Sequence, residues 1–147
     1  MDSPLLFAGA AGDGYLIRVY RGRSRLQGLP SFTPRLHAFV ALVPMTGDAR
    51  GRVLLADFLP KHPTKIETAL ALFRGGDVDA SVRLRSFPEH VMKSSLLDLG
   101  FAGVSSQTLT SIEEFNEQRK TRLSLLGYNC YSYEEELLRF LDIESEY

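Results

Sequence analysis

The sequence predicts one α+β domain, a mainly antiparallel sheet of about four strands with helices packed on one side. Three observations predict it. The chain has 147 residues, the usual size of one domain and too few for two ordinary ones. Strand-type patterns dominate its first part and helix-type patterns the rest, the segregation of an α+β fold rather than the alternation of an α/β fold. Hydrophobic residues make up 44% and charged residues 24%, so a chain of this length buries roughly two thirds of its unfolded surface in an ordinary core. Residues 1–147 show no internal repeat, low-complexity tract or linker.

The elements follow from local pattern. Gly14 to Tyr20 is rich in strand formers (Tyr15, Ile17, Val19) and ends in the Arg21-Gly-Arg-Ser stretch. Gly28, Pro30 and Pro34 mark a loop. Leu36 to Val43 is apolar on both faces apart from His37, which predicts a strand covered on both sides. Turn residues from Pro44 to Gly51 separate it from Val53 to Leu59, and the two pair as an antiparallel hairpin. Thr64 with Glu67 reads as a capping box for a helix that places Ile66, Ala69, Leu70 and Phe73 on one face and ends at Gly75 and Gly76. Ala80 to Phe87 alternates as a strand with one wet face, Val82 and Leu84 against Arg83 and Arg85. Pro88 to Leu99 reads as a short helix. Thr110 and Glu113 open another toward Leu126, and a last helix runs from about Cys130 to Ile143.

Charge and composition exclude several function classes. Net charge is −1, so no global attraction to nucleic acid or anionic membrane is expected. Charge is clustered, with Arg18, Arg21, Arg23 and Arg25 early and Glu134, Glu135, Glu136, Asp142, Glu144 and Glu146 late. These are two solvated faces or, in the sharper reading, a basic binding site for an acidic partner. A single cysteine rules out an intrachain disulfide and fits a reducing intracellular compartment, the cytoplasm or an organelle lumen after processing. No apolar run nears the roughly 20 residues of a membrane helix. No cofactor is expected. Gly9 to Gly14 lacks the strand–turn–helix context of a phosphate loop, and three scattered histidines with one cysteine do not make a zinc site.

The residue that carries most chemistry is Cys130. At about 3.6 residues per turn, Cys130, Tyr133, Leu137 and Leu141 share one face, with Leu138 beside them. That face must pack on the sheet, so Cys130 points inward from the first turn, where the positive end of the helix favours a thiolate. Glu134, one turn on, with Glu135 and Glu136 beside it, opposes that charge. A thiolate nucleophile needs a base, and His37 is the polar exception in an apolar strand. Asp57 or His62 would orient the imidazole. In one hairpin register Asp57 shares a face with His37, and a slip of one residue substitutes the parity of His62. Asp57 lies among Leu55, Ala56 and Phe58, where an unpaired carboxylate is costly. His90 reads as a surface residue.

A strand carrying His37 in Leu-His-Ala-Phe-Val, a paired strand with a polar residue, and Tyr-Asn-Cys-Tyr-Ser-Tyr ahead of a helix together resemble circularly permuted papain-like folds. The order is similar to that of the lecithin:retinol acyltransferase-like branch of the NlpC/P60 superfamily. The resemblance spans about residues 35 to 142. It implies His37 as base and Cys130 as nucleophile, with Tyr133 in the place of a family phenylalanine. The expected function is a thiol-dependent hydrolase or acyltransferase acting on an acyl or peptide-like substrate. The alternative is a non-catalytic domain that binds a protein through its charged surfaces, with a catalytically dead papain-like fold as one form of it.

Overall fold

The structure, a computed structural model, describes residues 16–24, 37–47, 50–62, 65–90 and 98–143. Six strands form one sheet: β1 Ile17–Ser24, β2 His37–Pro44, β3 Arg52–Pro60, β4 Asp77–Pro88, β5 Asp98–Ser105 and β6 Arg122–Ser124. Their order is β5-β1-β2-β3-β4-β6, and every neighbouring pair is antiparallel. Three helices are described: α1 Ile66–Phe73, α2 Leu109–Glu117 and α3 Cys130–Phe140. No helix among the described residues is long and apolar enough to cross a membrane.

The central hairpin behaves as its pattern requires. Every residue of β2 is buried, because each face of that strand has its own apolar layer. Val40 and Leu42, with Leu54, Ala56 and Phe58 of β3, meet Tyr133, Leu137, Leu138 and Leu141 from α3 and Leu109 and Ile112 from α2. Phe39, Ala41 and Val43, with Val53 and Leu55, form a second layer against Tyr20 and Phe87. Gly22 of β1 is needed beside this second layer, since a Cβ there would lie 2.2 Å from Phe39 Cζ.

The sheet has six strands rather than about four. The stretch expected as a helix from Pro88 to Leu99 falls largely outside the described residues. Pro88 still pairs with Arg52, Glu89 and His90 are helical, residues 91–97 lie outside the described residues, and β5 begins at Asp98. Gly100 and Gly103 mask β5 in the sequence, because glycine weakens strand character. Gly103 is required by packing. Its φ is 152°, a Cβ there would approach Ile143 Cδ1 to 2.8 Å, and it flanks the register shift opposite Val19 and Tyr20. The second missed strand is β6, which lies within the stretch expected to be helical up to Leu126. Its three residues are held by pairing with Asp77–Asp79 and by Arg122, which binds both Asp77 and Asp79. The helix itself starts one residue before Thr110, capped by Thr108, whose hydroxyl accepts from Ser111 N at 3.0 Å.

The expected inner face of α1 is also outside. Ile66, Leu70 and Phe73 are exposed, while Thr68, Ala71 and Leu72 turn toward the protein. The N-cap is Lys65, with no side-chain cap bond, and Thr64 lies outside the described residues.

Candidate active site

Helix α3 starts at Cys130 because Asn129 caps it. Asn129 Oδ1 accepts from Tyr131 N at 2.9 Å and Ser132 N at 3.2 Å, and Ser132 Oγ accepts from Asn129 N at 3.1 Å. This reciprocal cap satisfies amides that an uncapped helix leaves open. Tyr133, Leu137, Leu138 and Leu141 are buried as their spacing requires, so the first turn is pressed onto the sheet. The Cys130 side chain arrives at the His37 end of β2. There the β2–β3 ladder ends at the pair Phe39↔Asp57, while β1 remains paired as far as His37. The Ala38 N–H, just past the end of the β2–β3 ladder, donates to Cys130 Sγ at 3.5 Å.

The register settles the third residue. Phe39 opposes Asp57, and Asp57 opposes Arg83, so His37, Asp57 and Arg83 share one face by alternation. His37 Nε2 lies 2.9 Å from Asp57 Oδ2. An ionised carboxylate only accepts, so Nε2 carries the hydrogen and donates it. The Cys130 side chain interacts with the same ring and, like Asp57, raises the imidazole. Cys130, His37 and Asp57 therefore form a continuous chain.

Two opposed effects act on this chain. Burial pushes the His37 imidazole down, but its hydrogen bonds to Asp57 and Cys130, together with their charge, raise it to about 9. Burial pushes Asp57 up, yet hydrogen bonds from His37 and Arg83 hold it below the usual carboxylate range. Asp57 is fully buried. Arg83 grips it with two bonds, Nε to Oδ1 at 3.1 Å and Nη2 to Oδ2 at 2.7 Å, so the carboxylate that orients the imidazole is itself oriented. The pattern of β4 marked Arg83 only as a wet-face residue, and its partner becomes visible once the β3–β4 register is known.

Other candidate residues lie elsewhere. His62 is exposed in the turn after β3, and its carbonyl accepts from Lys65 N at 3.2 Å. It is not part of the Cys130–His37–Asp57 chain, because the observed register gives the face to Asp57. His90 is exposed, as expected. Arg25 lies outside the described residues. Arg18 reaches Glu89 at 3.7 Å. Arg21 and Arg23 do not form an open basic face. They turn onto Glu134, with Arg21 Nη2 at 2.8 Å from Oε1 and Arg23 Nη1 at 2.5 Å from Oε2.

The three glutamates that follow the thiol do not share one environment. Glu134 is buried and answered by two guanidinium groups from β1. Glu135 is exposed, and Glu136 binds Arg119 and the Tyr128 hydroxyl. The three charges go to three destinations and do not concentrate beside Cys130. Among the described residues, no group of His, Cys, Asp and Glu is arranged to hold a metal ion. Comparison with family models, with curated proteins and with solved structures finds no match to this chain.

Proposed function

We propose that this protein is a thiol-dependent hydrolase or acyltransferase. The observation that carries the reading is the contact of the Cys130 thiol with a buried imidazole whose far nitrogen is held by a buried carboxylate. In the proposed reaction the proton of the Cys130–His37 pair rests on Nδ1 while Cys130 Sγ attacks an acyl carbonyl. The tetrahedral intermediate collapses to a thioester as His37 returns the proton to the leaving group. Water or a second acceptor, deprotonated by His37, then releases the acyl group and regenerates the thiol. Asp57 keeps Nε2 protonated and Nδ1 directed at sulfur. The amides of Tyr131, Ser132 and Tyr133, which would be natural oxyanion donors, are already bound to Asn129. The imidazolium and the positive end of α3 are the electrostatic support that the described geometry offers an oxyanion. The resemblance to the permuted papain-like folds supports the same assignment of His37 and Cys130.

Iodoacetamide labelling tests this directly. Near neutral pH, native Cys130 should alkylate at least about tenfold faster than the same cysteine in a peptide, and His37→Asn should remove the advantage. Equal rates for protein and peptide would end the catalytic reading.

A second reading, a non-catalytic interaction domain, rests on the α1 surface, where Ile66, Leu70 and Phe73 are 71%, 46% and 83% exposed. It requires partner capture that survives Cys130→Ala and is lost when Ile66 and Phe73 are both changed to Ser.

A further inference from the structure

Asp57 is one carboxylate facing three cationic groups. His37 and Arg83 stand 2.9 and 2.7 Å from Oδ2 and use it in hydrogen bonds. Arg85 Nη2 is 3.8 Å from the same oxygen, beyond hydrogen-bond distance. Its counter-charge is already committed to the other two groups.

The rest of Arg85 is equally underused. Its Nε is buried and has no hydrogen-bond partner. Its guanidinium lies over the Phe87 ring, 5.5 Å from the centroid, and the side chain remains 40% exposed. Arg83 precedes it by two residues on the same face of β4, so their backbones are about 7 Å apart. The Arg83 side chain is 36% exposed, and two of its five donors are spent on Asp57. Two guanidinium groups side by side repel one another, and an anion bridging them removes that repulsion while supplying acceptors to the idle N–H groups.

We propose that Arg85, with the outward N–H groups of Arg83, binds a carboxylate or phosphate on the substrate, which makes the substrate an acyl compound with an acidic group. The proposal rests on the reading of Cys130 as an acyl-transfer nucleophile. Arg85 Nη2 lies within about 7 Å of His37 Nε2, and with Nδ1 assigned to the thiol in the proposed reaction this is the far side of the ring. The acidic group is therefore remote from the scissile carbonyl. Two or three residues of extended chain, ~7–10 Å, are a suitable separation in a peptide-like substrate.

The test separates anion binding from catalysis by using the Cys130→Ala protein. Inorganic phosphate and succinate are titrated at constant ionic strength, and binding is followed by thermal shift and by the arginine side-chain NMR resonances. Saturable binding of either anion, weakened about tenfold or more by Arg85→Gln and unchanged by Arg74→Gln, is the expected result. A preference for phosphate or for succinate assigns the source of the charge. No saturable binding, or equal losses in the two arginine variants, overturns the subsite and leaves the thiol reading intact. The thiol reading fails separately, through alkylation of wild-type Cys130 no faster than that of the peptide.

Discussion

At the scale of single residues, His37 is where burial and hydrogen bonding compete most directly. Desolvation disfavours its charged form, and the bonds to Asp57 and Cys130 win. A folded-state pKa of about 9, above the unfolded value of 6.5, contributes stability that is complete below about pH 6.5 and lost as pH rises through 9. Wild type should exceed His37→Asn in stability by on the order of 3 kcal/mol at pH 6, with the gap closing by about pH 10. Urea denaturation of both proteins across that range measures it, and a gap independent of pH would show that the imidazole is not charged in the fold. Glu134 is buried one turn from Cys130, and two arginines from a distant strand pair with it there.

At the scale of elements, α3 is an aiming device for the thiol. Its cap decides which residue comes first in the helix, and its apolar face decides where that residue points. Asn129→Ala should cost about 1 kcal/mol, the usual value of an N-cap, and should slow alkylation of Cys130 as the first turn frays. Wild-type alkylation kinetics together with unchanged stability would contradict this. The β1 strand carries a second element-level constraint. Gly22 separates Arg21 from Arg23 along the chain and leaves the opposite face of the strand to the Phe39 ring. Gly22→Ala must displace that ring and should cost about 1–3 kcal/mol, read from the urea midpoint at constant slope.

At the scale of the whole molecule, the ion pairs tie distant parts of the chain together around the site. Arg21 and Arg23 join β1 to α3 across more than a hundred residues, and Arg83 joins β4 to β3 beneath His37. Glu134→Leu removes the shared partner of two arginines that are only 19% and 27% exposed. It should destabilise by about 2–3 kcal/mol, less than a fully buried pair because water still reaches the guanidinium groups. Chemical denaturation gives the number, and a change below about 0.5 kcal/mol would place the clamp among inconsequential surface pairs. Helix α1 lies at the other extreme, with Ile66, Leu70 and Phe73 facing outward.

By itself the sequence determined what depends on neighbours within a few residues. The apolar run of β2, the hairpin with β3, and the inward face of α3 from Cys130 to Leu141 are all periodic, and periodicity is local. The same locality made Cys130, His37 and Asp57 legible as a candidate set, since His37 and Asp57 are polar groups in otherwise apolar strands and Cys130 opens the apolar face of α3. The tertiary structure decided everything that depends on register or long-range pairing. It chose Asp57 over His62 through the pairing Phe39↔Asp57, and it supplied Arg83 from a strand whose pattern showed only a wet face. It turned Arg21 and Arg23 onto Glu134 instead of outward. It also built β5 from a glycine-bearing segment and β6 from three residues, because pairing energy across the sheet outweighs the weak local preference of either stretch.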